Sequence, residues 1–250
     1  MRRTPLSALV LALLTCGVVG SRKPSDDTGP DTTPHGDTGI HARSGVLIHY
    51  GHGGVGPSGL DGSMTHEATT ELLESRGLAV NHSSVWPESF ETIRLAILPA
   101  PGTSDITAEF STLERADLIG VMSAGGVVVV EAEPGTVLND DILNDLVWDL
   151  GGSMHTTGLE VGDVSATVVE HELTAGLGSI GLDLSTSVER NDDDCLLQVD
   201  DDCVAVAADS GPGWLVLLAD GNVLSDHEAF AAAGHDNQRF LLNLALLDYE

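Results

Sequence analysis

The sequence predicts an α/β domain built on a doubly wound, mostly parallel sheet, with an extra β-hairpin region at one edge. Three observations carry that prediction. Ser44-Gly-Val-Leu-Ile-His-Tyr-Gly-His-Gly-Gly-Val-Gly56 is a strand-like run opening into a glycine- and histidine-rich loop, the order in which an α/β sheet brings backbone to a ligand. From Gly45 onward, apolar runs alternate with helical patterns. Gly126-Val-Val-Val-Val130 is apolar without alternation, so both of its faces are covered, as in a parallel sheet between helices.

A chain of 250 residues with 42% hydrophobic content can bury a real core. Its formal charge of -29 repels nucleic acid and anionic lipid, which removes both as direct partners of the folded part. Cations, basic partners and a salty medium remain compatible with it.

Residues 1–20 read as an export signal: Met1-Arg-Arg, then the apolar run Leu6 to Leu14, too short to span a bilayer comfortably. Leu13-Leu14-Thr15-Cys16 resembles a bacterial lipobox, with Cys16 as the lipidated residue and Thr15 where a smaller residue is usual. Val18-Val19-Gly20 offers ordinary cleavage after Gly20 instead, which would leave a soluble chain. The lipobox is the preferred reading because residues 21–44 supply a tether. That Asp/Thr/Gly/Pro-rich stretch has almost nothing apolar with which to offset its ordering entropy, and is expected to be a disordered linker. The expected location is the outer membrane or cell surface, through the lipid anchor, or otherwise the periplasm or medium.

In the domain, residues 45–250, the first strand is Val46 to Tyr50. Ala68, Leu72 and Leu73 then mark a helix that Gly77 stops. Leu78 to Asn81 and Ile93 to Leu98 are strands. Ser111-x-x-Glu114 is a capping box for a helix closed by Gly125-Gly126. Leu138 to Leu150 is another helix. Ala166 to Val169, Ser185 to Val188, Cys195 to Val199 and Cys203 to Ala207 are short strands of hairpin character. Gly213 to Leu218 is the last apolar strand, and Asp236 or Asn237 is expected to cap a final helix carrying Phe240, Leu241, Leu244 and Leu247.

An ordered series of motifs runs through this frame. Gly125-Gly126 precedes the valine strand, and a helix ends in Gly151-Gly152. His171-Glu-Leu-Thr-Ala-Gly-Leu177 follows, and the last strand leads through Asp220 and Ser225-Asp226 to Asn237-x-x-Phe240-x-x-Asn243. Together they resemble the class I glutamine amidotransferase-like, flavodoxin-like domains of gliding-motility and intraflagellar-transport proteins and of many exported bacterial proteins. The resemblance implies a three-layer fold and, in this branch, a binding or scaffolding role without the amidotransferase nucleophile. The residues agree: no G-x-[SC]-x-G elbow occurs, and Ser123, which comes nearest, has Val121 in place of the first glycine.

Gly51-x-Gly53-x-x-Gly56 matches the dinucleotide fingerprint in letters, but Pro57 to Gly62 separate it from any helix whose amides could meet a pyrophosphate. The loop after the first strand is nonetheless the expected rim of a ligand site. His49, His52, Asp61 and His66 lie in or near it, and Glu131, Asp220, Asp226 and His227 follow strands that end at the same sheet edge. No cofactor is expected. Zinc on these imidazoles, in spacings that match no standard pattern, is one metal alternative. Calcium is the other, bridging Asp192, Asp193 and Asp194 to Asp200, Asp201 and Asp202. Those triplets precede Cys195 and Cys203, which in an exported protein are expected to form a disulfide across a small hairpin.

The function expected is a non-catalytic envelope domain that binds a protein partner or carbohydrate at the C-terminal edge of its sheet. The alternatives are a metal-assisted hydrolase of a sugar or amide working through His49, His52 and His66, and a structural protein of an envelope assembly.

Overall fold

A computed structural model describes residues 43–54, 65–102, 109–132, 140–161, 164–183, 185–226, 230 and 234–246. The signal with Cys16, the linker as far as Ala42, Asp61 and His227 lie outside the described residues. The chain runs β1 (Gly45–His49), α1 (Glu67–Ser75), β2 (Ala79–Ser83), β3 (Ile93–Leu98), α2 (Thr112–Ser123), β4 (Val127–Glu131) and α3 (Asp140–Asp149). It continues through β5 (Met154–Val161), β6 (Val164–Val168), β7 (Ser179–Leu182), β8 (Ser185–Arg190), β9 (Asp194–Val199), β10 (Asp202–Ser210) and β11 (Gly213–Leu218) to α4 (Asn237–Leu246).

The α/β class is as predicted, but the sheet is mixed. Nine strands lie in the order β2-β1-β3-β4-β11-β10-β9-β6-β7, and β5 pairs with β8 apart from it. The joins from β2 to β11 are parallel. Those from β11 to β7 are antiparallel. The expectation of a mostly parallel sheet with an appended hairpin therefore falls short: half of the joins are antiparallel. The connections explain the difference. Crossovers through α1 and α2 permit parallel neighbours, whereas the tight turns at Asp200-Asp201 and Gly211-Pro212 can link only antiparallel ones.

Val46, Leu47 and Ile48 of β1, with Val127 to Val130 of β4, are at most 1% exposed, so strands without alternation do occupy the covered centre. Leu73 of α1, Leu118, Val121 and Met122 of α2, and Phe240, Leu241 and Leu244 of α4 complete the core. The capping box forms as predicted: the Glu114 amide donates to Ser111 Oγ at 3.3 Å, and the Ser111 amide to Glu114 Oε2 at 2.7 Å. Where α2 meets the sheet, a Cβ on Gly213 would stand 2.3 Å from the carbonyl oxygens of both Gly126 and Met122, so that crossing requires glycine.

At α4 Asp236 stands at the expected cap position, its carbonyl accepting the Phe240 amide at 2.8 Å, while the side chains of Asp236 and Asn237 reach across to β7 and the residue before it. Asp236 accepts the Gly178 amide at 2.7 Å, and Asn237 exchanges 2.9 Å bonds with both backbone groups of Gly181 in β7.

Candidate functional site

The chain leaves β1 for β2 on one side and then places β3 on the other, so a crevice is expected beyond the C-terminal ends of β1 and β3. The residues there fall into two clusters.

The first surrounds His49 and His52. His49 ends β1 buried, and its ring fills the space over Gly51: a Cβ there would stand 2.2 Å from His49 Nε2. The Trp86 indole meets His49 edge-on at 4.8 Å and donates its Nε1 hydrogen to Asp117 Oδ2 at 2.9 Å. His52, held at φ 56°, stacks on Phe110 at 3.8 Å, and its Nε2 lies 3.1 Å from Glu114 Oε1. Burial, and then the neighbouring His52, lower His49 to about 4. For Glu114, burial acts upward, but the bonds from Ser111 and the adjacent His52 outweigh it and hold the carboxyl below its usual range.

The second cluster surrounds His66, 1% exposed at the start of α1. His66 Nε2 lies 3.9 Å from Glu131 Oε2, with neither side chain reaching solvent. Its ring nitrogens make no hydrogen bond among the described residues, and burial lowers it to about 4. Next to it Tyr50 stacks on His82, with the Tyr50 hydroxyl 2.7 Å from His82 Nδ1, and His82 Nε2 lies 2.7 Å from Thr70 Oγ1. Thr70 spends its one hydrogen on the His66 carbonyl at 2.6 Å, so it accepts from His82 Nε2–H. His82 Nδ1 is then bare and accepts from Tyr50. This neutral tautomer agrees with the downward shift that burial imposes on His82.

Asp226 and Asp220 are occupied with backbone. The Asp226 carboxylate receives the amides of Glu67 and Ala68 and the Thr65 hydroxyl, which makes it the cap of α1. Asp220 receives the amides of Asp183 and Asn222, each at 2.8 Å, and burial raises it to about 6 against their opposing pull.

The cysteines are paired as expected, Cys195 to Cys203 with Cα atoms 5.8 Å apart. The bridging calcium site is not built. The aspartate triplets lie at opposite ends of β9, because Asp194 pairs with Ala207 while Val199 pairs with Asp202. Asp193 is engaged by the Ser153 amide and hydroxyl at 2.7 and 3.0 Å. Among the described residues no three His, Cys, Asp or Glu side chains are grouped to hold a metal ion.

His49, His52, His66, Glu131 and Asp226 do come to one sheet edge, but the three imidazoles are divided between two clusters. Trp86, Phe110, Glu114, Asp117 and His82 join them and were not singled out from the sequence as site residues. Val85-Trp86 and Phe90, three apolar side chains in the short connection between two strands, were the available signal. The His171 motif braces α4: the Asn243 side-chain amide donates to the carbonyls of Leu173 and Ala175, both at 3.1 Å.

No family model matches the chain, and no curated protein matches it. Solved structures do share its fold. The mmIFT52 N-terminal domain aligns at TM-score 0.61 and 13% identity, over 83% of this chain and 100% of that one. A cytoplasmic protein of Salmonella typhimurium, STM3548, aligns at TM-score 0.57 and 12% identity, over 82% of this chain and 98% of that one. The cold-adapted β-galactosidase of Rahnella sp. R3 aligns at TM-score 0.50 and 16% identity, over 80% of this chain but 30% of the enzyme. At such identities the likeness is one of fold alone, and it includes the intraflagellar-transport domain that the motif series resembles.

Proposed function

We propose that this chain is an exported binding protein. It would be held at the envelope through Cys16 and residues 21–44, and its amidotransferase-like, flavodoxin-like domain would engage a protein or carbohydrate at the C-terminal edge of the parallel strands. The observation that carries the reading is the division of the imidazoles. His52 is committed to Glu114 and Phe110, and His49 is packed against Trp86 and Gly51. His66 is enclosed beside Glu131 in the other cluster, with Tyr50 at 6.0 Å. Rings fixed in this way make a shaped rim and do not converge on one reacting atom. Ser123 supports the same reading, since it lies in the last turn of α2 and not on a strand-to-helix elbow.

The test sets the full chain against peptides and envelope oligosaccharides, measuring heat of binding and released products side by side. Saturable binding without turnover, weakened by Trp86→Ala, is the expected result. Turnover that disappears in His66→Ala would overturn it.

One observation favours the hydrolase alternative: among the described residues the enclosed His66 imidazole has no hydrogen-bond partner, and it lies beside the Glu131 carboxylate. Stoichiometric zinc in purified protein, lost in His66→Ala, would support it.

A further inference from the structure

We propose that Val85, Trp86 and Leu113 form the docking surface for a basic segment of a partner protein that seats an apolar side chain against them. The inference rests on the binding reading above and names that partner's chemistry.

Four large apolar side chains stand exposed among the described residues: Val85 at 74%, Leu113 at 70%, Ile119 at 40% and Trp148 at 70%. Two of them belong to the segments that meet at Trp86. Val85 precedes it in the chain. Leu113 is on α2 one helical turn before Asp117, on the same face, and Asp117 accepts the Trp86 indole hydrogen at 2.9 Å. Of the other pair, Ile119 is on α2 one helical turn beyond Arg115, and Trp148 is on α3 next to Asp149, the residue to which Arg115 is bound.

Beneath this patch the indole is fixed from several directions. Phe90 lies at 5.1 Å, His49 at 4.8 Å and Phe110 at 6.1 Å. An aromatic already held in place is the kind of residue that anchors a partner, because little side-chain freedom remains to be lost on binding. Val85 and Leu113 have no such packing, and their burial would be gained only by association.

The rim carries one sign. Glu88 and Glu91 are exposed on the connection from β2 to β3, and Glu109 is exposed just before α2. Glu114 and Asp117 stand partly exposed on α2 itself. The guanidinium in that turn, Arg115, is turned to Asp149. An apolar centre in an acidic rim is complementary to lysine or arginine flanking a leucine or aromatic residue, and it repels acidic segments. A carbohydrate would stack on the indole and make little use of Val85 or Leu113, which gives the experiment its second arm.

A phage-displayed random dodecapeptide library is selected on the full chain, with Val85→Ser/Leu113→Ser as the comparison. Both positions are exposed, so the double variant should keep its melting temperature. Enrichment of peptides pairing Lys or Arg with an apolar anchor is expected. The strongest of them, made synthetically, should lose about ten-fold in affinity on the double variant. Enrichment without positive charge or without an anchor overturns the inference, as does affinity that the double variant leaves unchanged. If that unchanged binding is abolished by Trp86→Ala, the docking surface fails while the binding edge stands. If Trp86→Ala and His52→Ala also leave it unchanged, both fail.

Discussion

The Asp226 carboxylate accepts the backbone N–H of Ala68 at 2.7 Å, so α1 is capped by a residue 158 positions further along the chain. The helix's own N-cap residue, His66, contributes no side-chain bond. The acidic group also faces the positive end of the helix dipole. Asp226→Ala is expected to cost about 1–3 kcal/mol, and Asp226→Asn about 1 kcal/mol, because the amide keeps one acceptor but loses the charge. Urea unfolding checks both; an unchanged midpoint for the alanine variant would refute the capping role.

Stability should fall on mild acidification. His49 and His66 are held near 4, against an ordinary 6.5, because burial opposes their charged forms. Below 6.5 the unfolded chain takes up two protons that the native chain refuses until about 4, so what these rings contribute is lost across that interval. Asp220 acts in the other sense. Raised from 3.8 to about 6, it is protonated in the native chain first, and acidification through that range favours folding. Two histidines against one aspartate leave the balance on the destabilising side between pH 6 and 4, and the lowered His82 and His171 add to it. Melting temperatures from pH 7 down to 4.5 test this, and His66→Gln should flatten the curve. A native state as stable at pH 5 as at pH 7 would exclude it.

The disulfide should matter to stability more than to shape. It closes a loop with a sequence separation of 8, for which the chain-entropy estimate is about 2.5 kcal/mol. The β9–β10 register is held independently by backbone pairing from Asp202–Val199 to Ala207–Asp194. Cys195→Ser/Cys203→Ser is therefore expected to unfold at lower urea concentration with its far-ultraviolet circular dichroism unchanged.

Two glycine-to-alanine changes should move stability in opposite directions. At Gly213 the added Cβ would meet two backbone oxygens at 2.3 Å, and neither can move without shifting α2 or β4. The cost is on the order of 3 kcal/mol. At Gly120, inside α2, nothing lies within 4 Å, and alanine should stabilise by about 0.5–1 kcal/mol. Thermal unfolding of the pair is the comparison.

Calcium added in the millimolar range should leave the melting temperature where it is, since the aspartate triplets stand at opposite ends of β9. A rise of several degrees would show that acidic groups assemble around the ion in a way this arrangement does not provide.

What the sequence made legible was local or continuous. The capping box of α2 is complete within Ser111 to Glu114, and the four valines of β4 need no partner to declare a strand covered on both faces. What it hid depended on pairing across the chain. Asp226 looked like a ligand because the amides it binds lie 158 positions upstream. His49, His52 and His66 looked like one set because sequence proximity does not show which groups each ring packs against, Trp86, Phe110 and Glu114 for the first two and Glu131 and Tyr50 for the third. The polar run of β5 and the short β7 carry little hydrophobic signal and went unpredicted. The expectation of a calcium bridge between the two aspartate triplets overlooked a consequence of the strand predicted from Cys195 to Val199, which lies between them and holds them at its opposite ends.

The position of β4 between β3 and β11 also sets an order of assembly. A chain made from its N-terminus has β1 to β4 long before β11, and all of β5 to β10 must follow before the second edge of β4 meets its partner. Until then four valines border an open backbone ladder, an invitation to any other extended strand. Chains ending before Gly213 should consequently aggregate where complete chains do not, and the last strand guards its neighbours during synthesis as well as completing the parallel half of the sheet.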